Sequence, residues 1–208
     1  QATDPEEYAT ESLNKLVLLP SGHEWRIVRD ENPSAGGAAV IIGQVSTCRL
    51  AAAVAREWTI DPARVPASHD GYQIRTGRFQ GRPVALVLGS NPRSCIYGKD
   101  TLSQLLQNGK GGLALPRVAV RDWSSIKWRG RPHAVLPGYD RPGTFDLFAR
   151  ARVNYIDLRD GPGIYGTPPG HPLDKERMRR VLREAHRRGM VVYGVVDCAV
   201  PEPRREAV

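Results

Sequence analysis

Ile96-Tyr97-Gly98-Lys99-Asp100-Thr101-Leu102-Ser103-Gln104-Leu105-Leu106 is the stretch from which the fold is read. Leu102, Leu105 and Leu106 fall at i, i+3 and i+4, one apolar face of a helix. Asp100 is a good N-cap, Thr101 helps start the helix, and Gly98 permits a close turn. Asn108-Gly109-Lys110-Gly111-Gly112 stops the pattern. The spacing predicts a helix near 100–108. Pro83 to Leu88, just upstream, is an apolar run suited to a buried strand, and Tyr72 to Thr76 alternates as a half-buried one does.

Further upstream, Leu50, Val54 and Trp58 at i, i+4 and i+8 predict a helix over Ser46 to Glu57. Ala38 to Gly43 is a third apolar run. Lys15 to Pro20 and Glu24 to Arg29 read as short strands joined by Ser21-Gly22-His23, and residues 1–14 read as a flexible lead-in. Residues 15–117 are therefore expected to form an α+β domain, a sheet carrying two helices. Its predicted core includes Leu50, Val54, Leu102, Leu105 and Leu106, so Leu105→Ala is expected to cost about 2–5 kcal/mol.

Residues 118–208 have another rhythm, after a join over Pro116 to Trp128. Arg131 to Leu136 is a strand candidate. Thr144 is expected to cap a helix with Phe145, Phe148 and Ala149 inward, and Tyr155 to Leu158 is a strand. Asp174 is expected to cap a helix with Met178, Val181, Leu182 and Ala185 on one face. Gly189 would be its C′ residue, and Met190 to Val196 a strand. Alternating strands and helices predict an α/β segment, a parallel βαβαβ unit resembling an incomplete (β/α)₈ barrel.

At 40% hydrophobic and 25% charged, the 208 residues are globular in composition, and no apolar run approaches the length of a membrane helix. Three cysteines exclude a disulfide scaffold; Cys48, Cys95 and Cys198 are expected as reduced thiols in or beside apolar segments. The formal charge is +8, with +2 over residues 1–117 and +6 over 118–208. Arginine outnumbers lysine 25 to 5, a bias that a GC-rich genome produces without regard to function. Much of the excess sits on the helix near 175–188, on the face opposite its apolar stripe. A solvated outer face explains it better than a nucleic-acid surface, since no aromatic residues interleave with the arginines.

Gly161-Pro162-Gly163-Ile164-Tyr165-Gly166 matches G-x-G-x-x-G, but Thr167-Pro168-Pro169 follows where a dinucleotide site needs a helix. There is no P-loop frame and no G-x-S-x-G elbow. The five histidines make no i, i+4 pair. No metal site and no cofactor are read from these residues.

One order of motifs does carry a family. Asp70-Gly71-Tyr72-Gln73-Ile74 precedes the Ile96–Leu106 segment; Val118-Ala119-Val120-Arg121-Asp122-Trp123 and Trp128-Arg129-Gly130 follow. This resembles the N-terminal α+β domain of family 20 glycoside hydrolases, the β-N-acetylhexosaminidases, running into their barrel. Related domains precede the barrels of families 84 and 67. The resemblance implies that Arg129-Gly130 leads into barrel strand 1, that Val153 to Leu158 is strand 2 and that Val191 to Val196 is strand 3. Departures are Ser94 in place of glycine, Ser124 and Ile126 before Arg-Gly, and Pro137 where family 20 has a sugar-binding arginine.

The family's catalytic Asp-Glu pair follows strand 4, which this sequence does not reach, and a closed barrel takes about 250 residues. The expectation is a non-catalytic N-terminal region of a glycoside-hydrolase-like protein acting on amino-sugar glycans. Its partners would be a glycan and the remainder of a longer polypeptide. The alternative is a standalone carbohydrate-binding or protein-interaction module. A bacterial, secreted or periplasmic setting goes with the resemblance; the sequence itself leaves the compartment open. Sugar contacts are expected at the C-terminal strand ends: Tyr139 after strand 1, Arg159 and Asp160 after strand 2, Asp197 after strand 3.

Overall fold

A computed structural model describes residues 2–22, 25–28, 37–109, 112–134, 141, 143–158 and 175–194. The fold is mixed α+β, with two main sheets. Strands β1 (Ala39–Gly43), β2 (Tyr72–Phe79), β3 (Arg82–Gly89) and β6 (Ala119–Asp122) form a four-stranded sheet in the order β1-β3-β2-β6. β1 is parallel to β3; the other two pairings are antiparallel. Gln80 and Gly81, both at positive φ, make the two-residue turn between β2 and β3. A short hairpin of β4 (Gln107–Gly109) and β5 (Gly112–Ala114) lies between β3 and β6 in the chain.

Helix α2 (Arg49–Glu57) covers one face of this sheet, burying Ala51, Val54 and Ala55 against Ile41, Val84, Leu86 and Leu88. Its cap is the Cys48 thiol, whose Sγ accepts from Ala51 N–H, so the helix starts three residues later than Ser46. Leu50 is partly buried at the rim of this cluster, and Val54 is in it.

The first large difference from the sequence reading is at the N-terminus. Residues 4–21 are neither a lead-in nor a strand but one helix, α1 (Asp4–Ser21), ending at Gly22 in the left-handed region. Thr3 and Glu6 have capping-box spacing, with Pro5 in the first turn. The Glu6 carboxylate accepts from Thr3 N–H and Oγ1, then reaches across to Gln44 N–H and Nε2 and to the Thr47 hydroxyl. Burial pushes the Glu6 carboxyl up, but these bonds outweigh it and hold it below the ordinary value. Tyr8, Ala9, Leu13 and Val17 make the buried stripe. Residues 25–28, read as a strand, belong to no sheet; Asn14 holds Trp25 by bonds to its N–H and carbonyl.

The second difference is the length of α3. It runs Pro92–Leu105, capped by Asn91 rather than Asp100. Asn91 Oδ1 accepts from Ser94 N–H while Ser94 Oγ accepts from Asn91 N–H, with Pro92 in the first turn. Ser94, Cys95, Ile96, Tyr97, Gly98, Lys99 and Leu102 are buried, whereas Leu105 and Leu106 are only partly so. Gly98 lies against β3 and β2: a Cβ there would meet Val87 Cγ1 at 2.5 Å and Tyr72 Cδ2 at 3.2 Å. Gly98→Ala is expected to cost about 1–3 kcal/mol by overpacking, despite alanine's higher helix propensity. An unchanged melting temperature would show that α3 can move off the sheet.

The second sheet is parallel: β7 (Gly130–Ala134), β8 (Tyr155–Leu158) and β9 (Val191–Gly194), in that order. Helix α4 (Thr144–Arg150) starts after Gly143, which is itself the cap residue, so Thr144 is inside the helix; Phe145, Phe148 and Ala149 are buried as expected. Helix α5 (Lys175–Arg187) buries Val181 and Ala185 and turns into β9 through Gly189 at φ +68. Asp174 lies outside the described residues. Helices α1 and α3 on the mixed sheet share one core with α4, α5 and Ile156 of β8. The two sheets thus enclose a common helical layer.

Candidate functional site

The three parallel strands end side by side, with Ala134 opposite Leu158 and Leu158 opposite Gly194. Tyr139, Arg159, Asp160 and Asp197, the expected sugar contacts, all follow these ends and lie outside the described residues.

What the structure does place is the face of the parallel sheet turned away from the helices. Period-two alternation sends Ile156 and Val192 into the core and Tyr155, Asp157, Val191 and Tyr193 to the other side. Trp128, just before β7, joins them. Ring centroids are 6.3 Å apart for Trp128–Tyr155, 6.4 Å for Trp128–Tyr193 and 5.7 Å for Tyr155–Tyr193, each pair edge to face. Tyr155 lies across Gly130, where no side chain would fit. Trp128 and Tyr193 are 45% and 47% exposed. This aromatic wall was missed in the sequence because Met190 to Val196 reads as uniformly apolar. The alternation in Tyr155-Ile156-Asp157-Leu158 was the available signal.

Behind the wall, a buried carboxylate ties the sheets together. Asp70, 1% exposed at the side chain, closes a 3-10 turn in the left-handed region, φ 56°, which aspartate tolerates. Its Oδ1 accepts from Asn91 Nδ2 (2.8 Å) and from Arg93 Nε (3.1 Å) and Nη2 (2.9 Å). Its Oδ2 accepts from Arg129 Nη2 (2.8 Å) and Asn154 Nδ2 (3.2 Å). Arg93 continues to Gly189 O at 2.7 Å, and Arg129 to Arg152 O at 2.7 Å. Asn154 Oδ1 accepts from Arg129 N–H. Burial raises the Asp70 carboxyl; the bonds from Arg93 and Arg129, with the Arg93 charge, override it and leave the carboxyl below its ordinary value. The neighbouring Tyr97 phenol is pushed up to about 12, first by burial and then by the Asp70 charge.

Two further clamps flank it. Tyr72 Oη donates to Asp122 Oδ2 at 2.7 Å, and Arg152 Nη2 reaches both. Tyr8 Oη donates to Asp146 Oδ1 at 2.7 Å, and Arg188 grips the same oxygen while stacking on the Tyr8 ring at 4.5 Å. Arg188 is buried and Arg187 pairs with Glu11, so this end of the basic helix is an internal joint rather than a solvated face. Lys175, Arg179, Arg180 and Arg183 are exposed, as expected for the outer face.

These carboxylates are engaged by arginines and serve as joints. Exposed aromatic rings suit the C–H faces of sugars. Among the described residues no group of three or more His, Cys, Asp or Glu is placed to hold a metal ion, and no helix is long and apolar enough to cross a membrane.

No family model matches the sequence, and no curated protein sequence is significantly similar to it. Its fold is similar to that of solved glycoside hydrolases. Against the Flavobacterium johnsoniae chitobiase of family 20 the TM-score is 0.60 at 14% identity, covering 95% of this chain and 30% of that one. Against the family 20 exo-β-N-acetylglucosaminidase of Vibrio harveyi, solved with N-acetylglucosamine, it is 0.56 at 12% identity, covering 93% and 32%. Against a family 84 enzyme it is 0.63 at 13% identity, covering 90% and 32%. The expected likeness to the family 20 N-terminal domain is therefore present at the level of fold, and the chain spans about a third of the length of each of these structures.

Proposed function

We propose that this chain is the non-catalytic N-terminal region of a glycoside-hydrolase-like protein acting on amino-sugar glycans. Its three parallel strands would open a (β/α)₈ barrel that further polypeptide completes. The observation that carries the reading is the aromatic face of the parallel sheet, which no helix or strand among the described residues covers. Helices bury one face, while Trp128, Tyr155, Val191 and Tyr193 stand on the other. Parallel sheets are covered on both faces in nearly all folds, and in a barrel the inner face is filled by side chains. The Asp70 joint supports it too, since it locks the α+β part rigidly beneath the first strands. In this reading Tyr139, Arg159, Asp160 and Asp197 lie on the rim where barrel enzymes bind substrate.

Hydrolysis needs an acid group beside the glycosidic bond, and in family 20 the substrate's acetamide acts as nucleophile. The purified chain is expected not to hydrolyse an aryl β-N-acetylglucosaminide, while a longer natural polypeptide containing it does. Turnover by the chain alone, abolished by one carboxylate substitution within residues 131–208, would overturn the reading. The exposed rings favour a second reading, glycan binding without hydrolysis. It predicts quenching of Trp128 emission by chito-oligosaccharides in the isolated chain, lost in Trp128→Ala.

A further inference from the structure

The opposite side of the molecule carries a different surface. On the α2 face of the mixed sheet, Gln73 pairs with Arg121 and Arg75 with Ala119; Gln73 is buried beneath the Asp61 turn, while Arg75, Ala119 and Arg121 lie beyond α2 and are exposed. At the end of α2, Trp58 lies over Gly77, where a Cβ would sit 3.0 Å from the indole. The result is a groove of about 760 Å³ lined by Trp58, Arg75, Gly77, Arg78, Arg117 and Ala119.

Three arginines line it and no carboxylate does. Arg75 Nη1 donates to Trp58 O and Arg78 Nη1 to Gly81 O, both at 2.6 Å. Those bonds orient the guanidinium forks without neutralising them. Among the described residues Arg75, Arg78 and Arg117 pair with no carboxylate, and Arg121 stands exposed on the same face. Asp61, beside the groove through its carbonyl bond from Gln73, turns its carboxylate to Ala63 N–H and Arg64. Four arginines gathered without counter-charge produce a positive field that a bound anion relieves.

The geometry selects among anions. β6 pairs with Tyr72 to Arg75 and Thr76 N–H donates to Val118 O, so β2 has an open edge only beyond Thr76. Trp58 Nε1 donates to Arg78 O at 3.0 Å and blocks that edge, which excludes an added peptide strand. A single aromatic ring gives no platform for successive bases. The Arg75 guanidinium lies over the Trp58 indole, 5.8 Å from its centroid, so the groove presents oriented guanidinium forks backed by one ring, which suits a sugar carrying a carboxylate or sulfate. We infer that this groove binds an anionic saccharide.

The inference is independent of the parallel sheet and is tested on the intact chain with a heparin-derived hexasaccharide, titrated by calorimetry near physiological salt. Arg75→Gln with Arg117→Gln is expected to weaken binding about tenfold, and Arg179→Gln with Arg183→Gln, which removes the same charge from α5, by less than about twofold. Neutral chitohexaose is expected not to compete. Arg117→Gln alone, at an exposed side chain, keeps the test should the double variant fail to fold. No binding overturns the inference. So does an equal loss in both pairs of variants, or tighter binding of an oligothymidylate of equal charge that depends on Arg117.

Discussion

Asp70→Ala is expected to destabilise the protein by about 3–5 kcal/mol at neutral pH, the cost of stranding charges that a buried carboxylate had paired. Five donors converge on the two oxygens of Asp70, and the side chain is 1% exposed. Removing it leaves Arg93 and Arg129 without an anion and Asn154 without an acceptor at the join between the two sheets. Hydrogen exchange is expected to report the loss first in β8 and β9, because Arg93 holds Gly189 O and Asn154 holds Arg129 and Lys127.

The pH dependence has a definite sign. The Asp70 carboxyl titrates below its ordinary value when folded. Its stabilisation is therefore fully present above the unfolded pKa, about 3.9, and is lost as pH falls through the lower folded value. The difference between wild type and Asp70→Ala in urea unfolding is expected to shrink in acid. Asp122, Asp146 and Glu6, also held below their ordinary values, leave the variant a residual acid slope. A variant as stable as the wild type at pH 7 would show that Asp70 is not the joint.

Leu102→Ala is expected to cost about 2–5 kcal/mol. Leu102 is fully buried in the cluster that spans both sheets, so the cavity is walled by elements that cannot collapse independently. Leu105→Ala, at a partly buried position outside that cluster's centre, is expected to cost well under half as much. Equal effects at the two sites, read by thermal melting, would contradict the observed phase of α3. The sequence pattern put both leucines on one face; in the structure Leu102 is buried, while Leu105, the last residue of α3 before β4 begins at Gln107, is only partly so.

Local patterns in the sequence were sufficient wherever one periodicity dominated. The alternation of Tyr72 to Thr76, the apolar run of Pro83 to Leu88, the stripe of α5 and the left-handed Gly189 all follow from short-range sterics and from which face each residue occupies. The Asp70–Ile74 and Ile96–Leu106 motifs were legible as fold-forming elements. Signals for α1 and for the true start of α3 were also present, in Thr3-Asp4-Pro5-Glu6 and Asn91-Pro92-Arg93-Ser94. They were outweighed by an acidic composition at one and a plausible later cap at the other.

What only the tertiary structure decided is the company each charge keeps. Asp70, Arg93, Arg129 and Asn154 are separated by up to 84 residues, and nothing local distinguishes a buried joint from a turn aspartate or a solvated arginine. The same holds for Arg188 against Tyr8 and Asp146, and for Trp128 against Tyr155 and Tyr193. Periodicity assigns a side chain to a face of its own element. Which other element covers that face, or leaves it bare, depends on contacts between distant segments, and the sequence alone determines those only through the fold.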